Sequence, residues 1–225
     1  MKTLFIEAKY QGKINLNKIP INKLPNKIGL VSSVQFVDYL LKIKQYLQKN
    51  KRKVFLEKGK QKYKGQVLGC DLTSAEKIKK KVNAFLYIGD GRFHPLGVAL
   101  KTNKKVYTFD PIGNVFSEIK KEDIEKIKKK NKAKLIKFLS SDNIGILVSV
   151  KPGQYNLKKS LELKKKFKDK TFNMFLFDTL NINDLENFPF IESWINTACP
   201  RISDEKNNII NIEDLDHLWF LLLPS

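Results

Sequence analysis

Arginine is nearly missing from this strongly basic chain. Of 43 basic residues only Arg52, Arg92 and Arg201 carry a guanidinium, and 23 acids leave a net charge of +20 over 225 residues. Proteins that read nucleic-acid sequence rely on arginine's planar fork for paired contacts, which lysine does not reproduce. Nor do aromatic and basic residues interleave as they do on RNA-binding sheets. The lysine excess reads as a compositional habit on solvated helix faces, and no specific nucleic-acid partner is expected. Where lysine is the default, a surviving arginine marks a place where the guanidinium itself is wanted.

Cysteine is equally scarce. Cys70 and Cys199 stand 129 positions apart with no CxxC pair, which excludes a disulfide-knotted scaffold, a zinc ribbon and a thioredoxin-type motif. With His94 and His217 they complete the chain's Cys and His, but no spacing among the four matches a zinc site. The longest clean apolar run, Leu218 to Leu223, is far too short to span a membrane. No charged, then apolar, then small-residue leader opens the sequence, so a soluble cytoplasmic protein with no membrane contact is expected. With 11 glycines, 8 prolines, 42% hydrophobic and 11% aromatic residues, the chain is neither collagenous nor disordered.

Short β-rich runs alternate with amphipathic stretches. Strands are expected over Thr3–Ala8, Ile28–Ser33, Lys53–Glu57, Ala84–Ile88, Lys105–Phe109, Ile144–Val150, Phe172–Phe177 and Glu192–Asn196. Helices are expected over Phe36–Gln48, Thr73–Lys81 (capped by Thr73 or Ser74), Pro95–Leu100, Glu122–Phe138 and Leu157–Phe167. Alternation at this length argues for an α/β fold with parallel sheets and helices on both faces.

The segment from Ile28, IGLVSSVQFVDYLLKIKQYLQKNKRKVFLEKG, aligns with IGILVSVKPGQYNLKKSLELKKKFKDKTFNMFLF from Ile144. Both run strand, a turn ending in glutamine (Gln35, Gln154), helix, basic break, strand. Each copy then reaches its single cysteine, 41 residues after Gly29 and 54 after Gly145, so each is expected after a second strand, in equivalent loops. Two similar domains follow, residues 1–118 with Cys70 and 119–225 with Cys199, each a small parallel sheet flanked by helices. Ligands in such sheets bind beyond the carboxyl ends of strands, so equivalent loops can bring distant cysteines to one shared site.

Four motifs carry chemistry. GQVLGCD (65–71) sets Cys70 behind two glycines that let backbone approach something bulky. GDGRFHP (89–95) stands where a strand gives way to a helix, offering Arg92 and His94 in a phosphate or nucleoside cradle. KPGQ (151–154) supplies a cation and the Gln154 amide. NTACPR (196–201) ends a strand with Cys199, a rigid Pro200 and the Arg201 cation. Thiolates in such turns are soft donors suited to copper, zinc or iron–sulfur clusters.

In this order the four motifs resemble the archaeal family of 2-(3-amino-3-carboxypropyl)histidine synthases, which begin diphthamide biosynthesis, and the resemblance covers nearly the whole chain. That family has three similar domains, each giving one cysteine to a 4Fe-4S cluster. The resemblance implies that Cys70 and Cys199 are the metal ligands of the second and third domains. It implies S-adenosylmethionine as cosubstrate, cleaved reductively to a 3-amino-3-carboxypropyl radical that adds to a histidine of translation elongation factor 2. Arg201 then suits the methionine carboxylate, Gln35 and Gln154 its amino or ribose groups, and Arg92 and His94 contacts to substrate or cosubstrate.

The chain departs from that pattern in having only two cysteines, since Met1 runs straight into what resembles the second domain. A separate first-domain polypeptide is therefore expected to supply the third thiolate, the assembled unit forming a homodimer. Two rival readings are a non-catalytic accessory subunit of that enzyme and a basic RNA- or ribosome-associated module built on charge alone.

Overall fold

The computed structural model describes Leu4 and residues 6–216. The chain divides into two compact units, Met1–Ile124 and Glu125–Ser225.

The first unit is a five-stranded sheet in the order β2-β1-β3-β4-β5. Its strands are β1 (Lys27–Ser32), β2 (Lys53–Phe55), β3 (Ala84–Ile88), β4 (Lys105–Asp110) and β5 (Val115–Glu118). The first four pair in parallel; β5 returns antiparallel against β4. That fifth strand goes beyond the parallel sheet expected, because the turn Pro111-Ile112-Gly113-Asn114, with Asn114 at φ +55°, allows a direct hairpin. Helix α1 (Leu40–Lys49) follows a 3-10 turn over Val34–Tyr39, so the helix expected over Phe36–Gln48 is split in two. Leu40, Ile43 and Leu47 sit at helical spacing and are buried with Ile28 and Leu30 on one face of the sheet. The other face holds Val31, Phe85 and Tyr87 of the sheet, with Val98 and Ala99 from α3 (Phe93–Thr102). Pro95 fits in the first turn of α3, and left-handed Asn103 ends it. The helix expected over Thr73–Lys81 shortens to α2 (Thr73–Glu76), followed by turns.

The second unit has four parallel strands, β6 (Asn143–Ser149), β7 (Thr171–Phe177), β8 (Ser193–Asn196) and β9 (Ile209–Asn211), in the order β7-β6-β8-β9. Helix α4 (Lys121–Leu139) leads in from the first unit and α5 (Leu157–Lys166) joins β6 to β7. Short helices α6 (Ile202–Glu205) and α7 (Ile212–Asp216) flank β9. Phe138 and Leu163 cover one sheet face with Ile144, Ile146 and Ile195, while the segment around Leu185 and Ile191 covers the other with Leu147 and Trp194. Of the strand expected over Thr3–Ala8, Thr3 and Phe5 lie outside the described residues, as does His217; residues 6–8 join no sheet.

The strand orders show the duplication, since β2-β1-β3-β4 and β7-β6-β8-β9 are the same path. One packing device repeats with it. A Cβ on Gly29 would lie 2.5 Å from the ring of Phe85, and one on Gly145 would lie 2.3 Å from the ring of Trp194. Each glycine is thus the seat of the aromatic residue opposite it on the neighbouring strand. Fully burying such a side chain contributes about 1.5–3 kcal/mol.

Arg52, outside every motif, has a structural task. Its Nε and Nη2 donate to the carbonyls of Leu24 and Ile21 at 3.1 and 2.8 Å, closing the 3-10 turn over Ile21–Lys23.

Candidate functional site

In each sheet the chain leaves the central strand to one side and returns on the other. The carboxyl ends of β1 and β3, and of β6 and β8, therefore flank the two points where an open sheet leaves a ligand crevice. Gln35, Arg92 and His94 stand just beyond the first pair of ends; Gln154, Cys199 and Arg201 stand just beyond the second.

Cys70 arrives by the long β2–β3 connection. Residues 65–67 run beside the end of β1, with Ser32 N–H donating to Gly65 and Val67 N–H to Ser32, both at 2.9 Å. Leu68 and Asp71 then exchange backbone hydrogen bonds at 2.9 and 3.1 Å, making a tight turn with exposed Cys70 at its tip. Asp71 holds this turn by accepting from Thr73 N–H (3.0 Å), Thr73 Oγ1 (2.7 Å) and Gln61 Nε2 (2.6 Å). Burial pushes its carboxyl up, but the Thr73 and Gln61 hydrogen bonds together outweigh that and hold it below the usual range. Asp71 thus takes the capping role expected of Thr73 or Ser74.

The two glycines of this motif make room for the chain itself. Gly65, at φ +74°, would carry a Cβ 2.5 Å from Leu56 and 2.8 Å from Leu40. A Cβ on Gly69 would meet the Phe93 ring at 2.2 Å. Phe93 is the bulky neighbour of the thiol turn, and it ties GQVLGCD to GDGRFHP.

Within GDGRFHP, Arg92 ends the loop into α3 and pairs with Asp123. His94 stacks on Tyr87 at 6.0 Å with the rings 14° apart, its Nδ1 3.4 Å from the Tyr87 hydroxyl. Burial, opposed by a hydrogen bond to Ser33 and assisted by the Asp90 charge, pushes the Tyr87 phenol up to about 12. The ring also roofs Gly89, whose φ of +146° and 2.8 Å clearance to the hydroxyl admit no side chain without strain.

Cys199 lies half-exposed at the end of β8 in a turn built by amides. Asn196 Nδ2 donates to the Cys199 carbonyl (2.8 Å) and to Asn211 Oδ1 (2.7 Å), while its own Oδ1 accepts from Ala198 N–H (3.0 Å). Asn211 Nδ2 donates to the Pro200 carbonyl (3.2 Å) and Ser203 Oγ (2.8 Å). Behind the turn lies Lys134, a charged side chain only 3% exposed, whose Nζ donates to the Ser203 carbonyl. Burial pulls its ammonium down, with repulsion from Lys130 adding to it and Asp204 and Asp214 opposing.

The pairing register corrects one expectation from the sequence repeat. Ile28 pairs with Ala84 as Ile144 pairs with Ser193. Counting forward makes Arg92 the counterpart of Arg201, and Asp90 the counterpart of Cys199. Cys70 follows the second strand of its sheet and Cys199 the third of its own, so the two thiols do not occupy equivalent loops. Gln35 and Gln154 do not correspond either: Gln35 matches Lys151, and sits in a 3-10 turn whereas Gln154 ends a tight turn. The strand expected over Glu192–Asn196 is present as β8, but it is the third strand of its sheet in chain order, whereas β2 before Cys70 is the second of its own.

Asp71, Phe93, Asn196, Asn211 and Lys134 were not legible as site residues. Asp two before Thr is a local turn signal that could have found Asp71; nothing in sequence separates Lys134 from 39 other lysines.

The donor chemistry fits an iron–sulfur cluster in kind. Two accessible thiols sit in turns pinned by hydrogen bonds, each at the carboxyl edge of its own sheet. It falls short in number: among the described residues no group of three or more His, Cys, Asp or Glu side chains is placed to hold a metal ion. Among them, too, no helix is long and apolar enough to cross a membrane.

Comparison with known proteins bears on the same residues. A family model described as "Putative diphthamide synthesis protein" matches residues 1–208. The 2-(3-amino-3-carboxypropyl)histidine synthase of Pyrococcus horikoshii is 34% identical over 186 residues, 81% of this chain and 52% of that protein. Subunit 1 of the Dictyostelium discoideum enzyme of that name is 26% identical over 212 residues, covering 90% of this chain and 45% of its own. The crystal structure of Dph2 from Pyrococcus horikoshii with a 4Fe-4S cluster superposes with a TM-score of 0.79 at 30% identity, over 91% of this chain and 60% of that one. The chain thus spans about half the length of the curated relatives it matches.

Proposed function

Because the chain belongs to the diphthamide synthesis family, we propose that it forms two cysteine-bearing units of a 2-(3-amino-3-carboxypropyl)histidine synthase. The observation that carries this is the pair of thiol turns, with Cys70 exposed and Cys199 half-exposed, in a chain that matches the family over both. These two cysteines would hold a 4Fe-4S cluster, with the third thiolate from outside these 225 residues on a first-domain polypeptide. When bound, that cluster supplies the electron for cleaving S-adenosylmethionine, so that a 3-amino-3-carboxypropyl group reaches a histidine of translation elongation factor 2.

The chain's own residues bind and orient. Arg201, two residues past Cys199, offers a fork matched to the methionine carboxylate. Arg92, its counterpart by register, is held by Asp123 and is available to a second anionic group on ligand entry. His94, fixed by its stack on Tyr87, presents an oriented ring edge toward substrate. Gln35 and Gln154 supply amides at the two crevices for amino or ribose groups. The assembled unit works in the cytoplasm as a homodimer.

Mixing the protein anaerobically with iron and sulfide, with and without the first-domain polypeptide, tests this reading. A broad brown absorption that needs the second polypeptide and is lost in Cys70→Ala and in Cys199→Ala supports it. A complex that stays colourless favours the second reading, a non-catalytic accessory subunit.

A further inference from the structure

Basic and acidic charge are segregated within the second unit. From Glu125 onward α4 carries seven lysines against one glutamate, and α5 carries five lysines against one, a net +10 in a unit whose 17 basic and 13 acidic residues leave only +4 overall. Both helices lie on the same sheet face: Phe138 and Leu163 share a core cluster, and the Phe138 and Phe167 rings meet edge to face at 5.2 Å. The opposite face is covered by a different kind of chain. Residues 171–200 contain no lysine or arginine, where the chain average would place about six, and include Asp178, Asp184, Glu186 and Glu192. A uniform lysine habit does not load one sheet face with lysine while the segment covering the other supplies none of its own, Lys151 and Lys206 reaching it from outside at Thr179 and Glu186.

We propose that the outer face of α4 and α5 is a docking surface for the phosphate backbone of duplex RNA, engaged without regard to sequence. Lys126, Lys129, Lys137, Lys158, Lys164 and Lys165 are all exposed on it. Lysine is depleted in packed protein–protein interfaces, and its hydrated ammonium suits loose contact with phosphates. With no arginine or exposed aromatic ring on either helix, the face has nothing to read base edges or stack on unpaired bases. Each helix sets Phe138 or Leu163 on the sheet and offers a side, not a tip, with Ile136 and Leu161 exposed among the lysines, so neither enters a major groove. A-form RNA is the duplex recognised by shape and phosphate contacts in this way.

The test compares two variants of equal net charge. One replaces those six lysines by glutamine; the other replaces exposed Lys13, Lys18, Lys23, Lys42, Lys49 and Lys80 of the first unit. Binding of a labelled 20-base-pair RNA duplex is read by fluorescence anisotropy across a salt series, with circular dichroism confirming the fold of each. The α4–α5 variant is expected to lose at least about 30-fold in affinity, with the slope of log affinity against log salt shallower by about 4. The first-unit variant should change less than about threefold, and the six lysine-to-arginine replacements should keep binding if the glutamine protein fails to fold. Equal losses in both variants, no binding by the unaltered protein at 100 mM salt, stronger binding to a DNA duplex, or displacement of RNA by polyglutamate at lower charge concentration than by RNA itself would each overturn the proposal.

Discussion

Placing one methyl group at Gly145 tests the packing that presents Cys199. The new Cβ would stand 2.3 and 2.4 Å from two ring carbons of Trp194 and 3.0 Å from Ile191. Carbon atoms in contact sit at about 3.5–4.0 Å, so the ring must retreat by more than an ångström. It has nowhere to go, being 2% exposed and fenced by Phe175 and Phe188 at centroid distances of 4.9 and 6.2 Å. Overpacking of this kind costs about 1–3 kcal/mol, and a clash without an exit belongs at the upper end, about 3. For a unit of this size that lowers the calorimetric midpoint by roughly 10–20 °C. Trp194→Leu alone should cost about 2–4 kcal/mol through the cavity it opens. The double variant should fall short of the summed losses by about 2 kcal/mol, because the leucine vacates the space the methyl needs. Asn196, two residues after Trp194, holds the Cys199 carbonyl, so alkylation of Cys199 should quicken in Gly145→Ala while Cys70 reacts as before. A loss under about 0.5 kcal/mol, or strict additivity with Trp194→Leu, would refute the reasoning.

Removing the carboxylate in Asp71→Ala should cost about 1–2 kcal/mol, as for a lost helix cap, and speed alkylation of Cys70 alone. Because the Asp71 carboxyl titrates below its unfolded value, its stabilisation is present at neutral pH and fades as pH falls through the folded value, so the difference from Asp71→Asn should vanish in acid. Tyr87, at about 12 against an ordinary 10, favours the fold fully below pH 10 and loses that contribution between pH 10 and 12. Absorbance at 295 nm should show one late-titrating phenol that disappears in Tyr87→Phe. Lys134 runs the other way: its ammonium is depressed from 10.5, so its buried charge penalises the fold at low pH and the penalty lifts as pH rises from the folded value towards 10.5. The stability of the unaltered protein relative to Lys134→Met, measured by urea unfolding, should therefore improve with pH; a flat difference would refute the buried charge.

Hydrophobic period and local turn chemistry are nearest-neighbour properties, and they sufficed for most of the fold. Helix α1 is legible because Leu40, Ile43 and Leu47 fall on one stripe, and β3 because five apolar residues run between turn signals. The motifs around Cys70, Arg92, Gln154 and Cys199 also stand out in sequence, since glycine, proline and asparagine mark where chain leaves a sheet. Register is different. Three-residue β9 is too short to announce itself, and although the strand ending at Asn196 is legible, only the pairing shows that Arg92 matches Arg201 and that the cysteines stand on unlike loops. The same holds for Phe93 over Gly69 and for Lys134 behind Cys199, contacts across 24 and 69 residues of chain or joined through residues that distance away. Composition and local pattern decided which elements form and which residues stand at their ends. The tertiary structure alone decided which of those ends meet, because strand pairing and burial act between residues far apart in the chain.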